Sequence, residues 1–207
     1  MLKPLTFSFK SLFLLLATIV AGYALGHYWI YEGTFNGMSP KFRSLNSILV
    51  YSHFIGGAVA LFLGAIQLFT RRGSSWHRRL GLGYCLGVLV GAIGGGYLSF
   101  FADAGPYTNI GFFTLAILWP YCTYRALQHA RARQIEHHRR WIIRSLALTA
   151  GAITLRIELP LFTQFMSFET SYLIVAWSSW LGNLFIVELY LRYTSRTFIH
   201  PKGNLSL

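Results

Sequence analysis

The sequence predicts an all-α polytopic membrane helix bundle of about six transmembrane helices, with both termini on the cytoplasmic side. Three observations carry that prediction: apolar runs long enough to cross a bilayer recur from end to end, charged residues are scarce, and the basic ones are divided unevenly between alternate connections. Of the 207 residues 54% are hydrophobic and 17% aromatic, while only 12% are charged, against roughly a quarter in an ordinary soluble domain.

The runs lie at about 11–31, 49–70, 80–101, 110–129, 141–162 and 172–192. The first follows a short leader with Lys3 and Lys10 and is longer than the core of a signal peptide, so it reads as an uncleaved span. Short polar segments rich in turn formers separate the runs, as at Gly37 to Pro40, Arg72 to Ser75 and Ala104 to Pro106. No linker or low-complexity tract divides the chain, which is expected to be one integral membrane domain over 1–207.

The formal charge of +12 would suggest nucleic acid in a soluble protein. Here its distribution gives a different reason. With the N-terminus inside, thirteen Lys/Arg fall in the leader, the segments Arg71 to Arg79 and Arg131 to Arg140, and the tail from Arg192, whereas the other side has Lys41 and Arg43. That bias places the termini and the two basic segments in the cytoplasm of a bacterial plasma (inner) membrane. The lipid bilayer is the expected surrounding, and no nucleic-acid partner is expected. Cys85 and Cys122 lie inside apolar runs, as buried thiols do.

The segments Trp76-His77-Arg78-Arg79 and His137-His138-Arg139-Arg140 open the third and fifth spans, each followed about a dozen residues on by Gly-Ala-Ile. They suggest a parallel repeat of two hairpins, spans 2–3 and 4–5, with His77 and His138 at equal depth. Independent basic loops that each obey the topology rule are the alternative. Along the third span Gly83, Gly87, Gly91 and Gly95 form a stripe at helical spacing, either for another helix at short distance, the usual role of small residues in lipid, or for a planar cofactor.

An ionisable side chain at mid-bilayer costs about 2.5 to 3.5 kcal/mol, so each needs a partner, a wet cavity or a way to snorkel. Arg125, Arg144 and Glu188 lie near cytoplasmic ends, where long stems reach the headgroups. Arg156 and Glu158 cannot pair, because two residues along a helix turn through about 200°. His53, at similar depth, makes with them a candidate outward-facing polar site, or else a network joining spans two and five. Pro160 has no N–H for the carbonyl one turn back. At the cytoplasmic side His77, Arg78, His138 and Arg139 sit at two helix N-termini, which favour an anion: a phosphate headgroup, a nucleotide-like anion or a haem propionate, with lipid headgroups as the plainer partner.

Several chemistries have no visible machinery. There is no Walker-type glycine loop, no Gly-x-Ser-x-Gly, no His-Glu-x-x-His and no Cys-x-x-Cys. The single aspartate, Asp103, excludes aspartate-rich magnesium motifs. Seven histidines with one adjacent pair fall short of the cluster a membrane di-iron oxygenase needs, and no firm metal ligand set is evident.

The stretch from His53 through Pro160, with His77-Arg78-Arg79-Leu80-Gly81, His138-Arg139-Arg140-Trp141-Ile142-Ile143-Arg144-Ser145 and Thr154-Leu155-Arg156, resembles the domain-of-unknown-function 2306 family of prokaryotic membrane proteins. The resemblance implies membrane residence and brings no activity, substrate or cofactor. A fainter likeness is to transmembrane b-type cytochromes, from which the chain departs because His77 and His138 fall at loop-to-helix junctions. Three functions follow as expectations. One is redox or electron transfer with haem b or a quinone, using His77 and His138. Another is a non-catalytic accessory or assembly subunit that packs on other membrane subunits or on itself. The third is a small-molecule or lipid carrier using His53, Arg156 and Glu158.

Overall fold

The computed structural model describes residues 3–31 and 44–199. These form six antiparallel helices and no strand: α1 (Lys3–Tyr31), α2 (Ser47–Gln67), α3 (Ser75–Ser99), α4 (Pro106–Arg131), α5 (Ile135–Phe162) and α6 (Phe168–Ile199). Five are long and apolar enough to cross a membrane. The exception, α4, has 26 residues, but Asn109, Pro120, Arg125 and three tyrosines dilute its apolar content. Lys41, Arg43, the turn at 37–40 and the tail from 200 lie outside the described residues.

The helices begin earlier than the apolar runs. Ser74 caps α3, its Oγ accepting from the His77 backbone N–H at 3.1 Å. The connection at this point is therefore 68–74, with Arg71 and Arg72 in it, while His77 to Arg79 open α3 and His137 to Arg140 open α5, as their position at the start of the third and fifth runs suggests. Polar residues inside a first turn do not break a helix, since its leading N–H groups need no intrahelical partner. At the other end, Gly105 has φ +88°, which glycine adopts without a Cβ penalty, and Pro106 then opens α4 with its fixed φ.

The closest approach in the bundle is between α2 and α3. A Cβ on Gly87 would stand 2.9 Å from the Ala60 backbone nitrogen, and one on Gly91 would stand 2.9 Å from that of Gly57. The same stripe meets side chains at its ends: Gly83 faces Leu63, and Gly95 faces the His53 ring. Thus the four-glycine face is covered by another helix of the same chain. Tyr84, Val88, Trp119, Leu148 and Trp180 form the main core between α3, α4, α5 and α6. Helix α1 packs on α2 through Ala17, Ala21 and Ala24 and touches α5 only slightly. At the basic end Lys10 Nζ donates to the Leu68 carbonyl at 3.0 Å, fixing α1 to the C-terminus of α2.

Candidate functional site

The half of the bundle away from the basic connections holds a cavity of about 560 Å³, within the range of about 300–1,000 Å³ usual for small-molecule sites. Every helix contributes to it: Tyr23 from α1, His53 from α2, Gly95 from α3, Trp119 from α4, Arg156 from α5 and Tyr172 from α6, with Asp103 from the α3–α4 connection. The remaining wall is mostly aliphatic and aromatic. Gly91-Ala92 and Gly151-Ala152, the first two residues of the repeated Gly-Ala-Ile triplets, both lie in this wall.

His53 and Arg156 therefore meet at one cavity, and Glu158 does not join them. Glu158 is on the other side of α5, where its carboxylate accepts from Ser178 Oγ at 2.6 Å. The helical period requires this separation of Arg156 from Glu158. Arg156 Nη1 donates to the carbonyl of Ala152, one turn back on its own helix, at 2.8 Å. Its Cζ lies 6.0 Å from the centroid of the Tyr23 ring, a cation–π distance across the α1–α5 seam. Its Nε is buried without an acceptor among the described residues. Among the described residues no carboxylate is hydrogen-bonded to this guanidinium or paired with it. His53 Nδ1 lies 3.1 Å from the Gly91 carbonyl, so that nitrogen carries the proton and Nε2 is left with a lone pair in the neutral ring.

Below the cavity a buried hydroxyl network seals the bundle. Trp119 Nε1 donates to Thr149 Oγ1 at 2.8 Å, and the Tyr84 hydroxyl bridges Ser145 and Thr149 at 2.6 and 2.8 Å. Thr123 continues the chain to Ser145 at 2.6 Å. Thr149 Oγ1 and Thr123 Oγ1 also lie within hydrogen-bond distance of the Ser145 and Trp119 carbonyls, so four hydroxyl hydrogens are shared among five contacts. Such a linked network holds α3, α4 and α5 together. Sequence reasoning missed them because single Ser, Thr and Tyr residues are unremarkable in apolar helices. The available signal was their spacing of four: Ser145 with Thr149, and Trp119 with Thr123.

The basic end is arranged differently. Thr70 Oγ1 donates its hydrogen to the Gln67 carbonyl, so it accepts from His77 Nδ1 at 3.0 Å. His138 Nδ1 donates to the Ala126 carbonyl at 2.9 Å. Each histidine thus ties the start of one helix to the end of the helix before it, α3 to α2 and α5 to α4. This equivalence matches the repeated motif. Neither imidazole lines the cavity, so a haem ligated by both would have to find its space elsewhere. Arg78 is exposed, while Arg139 bonds the Tyr190 hydroxyl at 3.3 Å and pairs with Glu136. Arg144 and Glu188 form a bidentate pair, at 2.5 and 3.0 Å, rather than reaching separately for headgroups. Arg125 and Arg144 both lie over the Trp141 ring, at 5.3 and 4.9 Å.

A family model described as a predicted membrane protein, DUF2306, matches residues 50–191. The match takes in α2 through most of α6, which is every element of the cavity except α1. No curated protein and no solved structure matches the chain.

Proposed function

Because the chain belongs to the DUF2306 family of predicted membrane proteins, a description that names no reaction, we propose that it binds and carries a small lipophilic molecule in the cavity between His53 and Arg156. In this reading it is a multi-pass protein of the bacterial plasma membrane, with its basic end towards the cytoplasm. The observation that carries the reading is the cavity itself, apolar over most of its wall and polar at one place, where two potential hydrogen-bonding side chains converge.

The alternatives draw less from the geometry. A haem b between His77 and His138 would require a space that the cavity does not offer them, although their Nδ1 bonds suit the orientation of ligating imidazoles. An accessory subunit would present its glycine stripe to a partner helix, whereas α2 covers that stripe. A quinone is the redox form of the cavity reading, since its carbonyl oxygens are acceptors for the Arg156 N–H groups.

The test is organic extraction and mass spectrometry of protein purified in mild detergent, beside its absorption spectrum. The carrier reading expects a lipophilic species at about one per chain that is absent from Ala116→Trp, a variant with a cavity-wall residue enlarged. A reducible quinone would select the redox form. A Soret band with an empty cavity would replace the reading by the haem one.

A further inference from the structure

Resting on the cavity reading, the structure assigns the ligand a class: we propose a lipophilic carboxylate, with its acid headgroup on Arg156 and its tail between α1 and α5. Three independent features of the cavity lead to this class.

The first is the state of Arg156. A guanidinium has five N–H donors and cannot lose its charge in a protein. Among the described residues one bond goes to its own helix backbone, Nε is buried with no acceptor, and the ring of Tyr23 lies within cation–π distance. Elsewhere on the same helix Arg144 shows how this chain satisfies an arginine, with a carboxylate held by two bonds. Among the described residues no carboxylate is bonded to Arg156, and the nearest acid in sequence, Glu158, is held by Ser178 on the far side of α5. A ligand carboxylate would supply the missing partner in the same fork geometry.

The second feature limits the headgroup's charge. The polar part of the cavity presents one arginine, one histidine and, at its rim, Asp103. A phosphate dianion would bring two negative charges to a site with one guanidinium and Asp103, whereas a carboxylate brings one and fits the guanidinium fork. His53, whose Nδ1 is fixed by Gly91, offers Nε2 as acceptor to a protonated acid, or as donor when the ring is charged.

The third feature is the route for the tail. Val20 and Ala24 on α1 and Leu155 and Leu159 on α5 line the cavity from the two sides of one seam. These helices meet less than α1 and α2 do, sharing a small cluster of Ala17 and Val20 with Ala152 and Ile153. Tyr23, at the same seam, is 58% exposed on its outer surface. A molecule entering from the bilayer between α1 and α5 would keep its alkyl chain in apolar surroundings when the head reaches Arg156.

The experiment uses the full chain in nanodiscs, with a diazirine-bearing palmitate, its methyl ester and a diazirine-bearing lysophosphatidate, each photo-crosslinked and mapped by peptide sequencing. The expected result is labelling of cavity-wall peptides from α1 and α5 by the acid, reduced roughly tenfold or more for the ester, as a charge-assisted bidentate bond requires. Arg156→Leu should bring the acid down to the level of the ester, and Arg156→Lys should restore part of the difference. Equal labelling by acid and ester would overturn the headgroup assignment and leave the cavity reading standing. Preference for lysophosphatidate would overturn the carboxylate class. No labelling of the cavity wall by any probe, with Arg156→Leu still eluting as a folded protein, would remove both readings together.

Discussion

Arg144 and Arg156 lie twelve residues apart on α5 and have opposite surroundings. At the basic half of the bundle Arg144 holds Glu188 with two bonds and stacks on Trp141, below a closed floor of buried hydroxyl groups. In the other half Arg156 faces a cavity and, among the described residues, has no bonded carboxylate and touches its own backbone and one aromatic ring. The histidines divide less sharply: His53, His77 and His138 each fasten a hairpin through Nδ1, and of the three His53 alone also lines the open space. The basic half completes the coordination of Arg144, although Arg125 Nε there is also buried without an acceptor among the described residues, and the other half leaves Arg156 without a bonded carboxylate among them. Intramembrane charge is thus no single signal; what separates structure from function is whether the protein completes the charge's coordination itself.

That contrast can be broken or sharpened by substitution. The largest expected effect is at the α2–α3 contact, which positions His53 against α3. Gly87→Leu would drive its side chain into the backbone of α2 and should cost about 3 kcal/mol or more, seen as loss of monodisperse protein in size-exclusion chromatography. Gly22→Ala, with nothing near the added methyl, should purify as wild type.

Next comes the pair at the rigid end. Glu188→Ala leaves Arg144 without its acid and should lower stability by about 2 kcal/mol, a figure kept modest because Glu188 is 32% exposed. The double variant Arg144→Leu/Glu188→Leu should lie closer to wild type in thermal midpoint than Glu188→Ala does, because no lone charge remains. A smaller effect is expected from Tyr84→Phe, about 1 kcal/mol, since Thr149 keeps its bonds to Trp119 and to the Ser145 carbonyl.

The smallest effects belong to the two histidine ties. His77→Ala and His138→Ala should each cost about 0.5–1 kcal/mol. The two ties share no hydrogen-bond partner, although the His138 charge acts on His77, so the double variant should show their sum within about 0.5 kcal/mol at a pH where both rings are neutral. A strong departure from additivity in thermal unfolding would mean that the histidines act on one shared group.

Much of the architecture was legible in the sequence. Apolar runs separated by turn formers gave the helices because burial in lipid leaves the backbone no other partner within such a run. Their ends were less legible, since a capping serine at position 74 counts for more than the charges that follow it. The opposite directions of Arg156 and Glu158 came directly from 100° per residue. The cavity did not, because it depends on α1 leaning on α2 and away from α5, and no local pattern encodes that. The repeated His-Arg-Arg motif was visible as a repeat, but only the bonds to Thr70 and Ala126 show what its histidines hold.

The most direct test of the contrast is the thermal midpoint of ligand-stripped Arg144→Leu and Arg156→Leu in the same detergent. Arg144→Leu should melt lower than wild type, having stranded Glu188, while Arg156→Leu should melt at the wild-type midpoint or above it. A fall for Arg156→Leu as large as that for Arg144→Leu would contradict the account, because it would make both arginines parts of the scaffold.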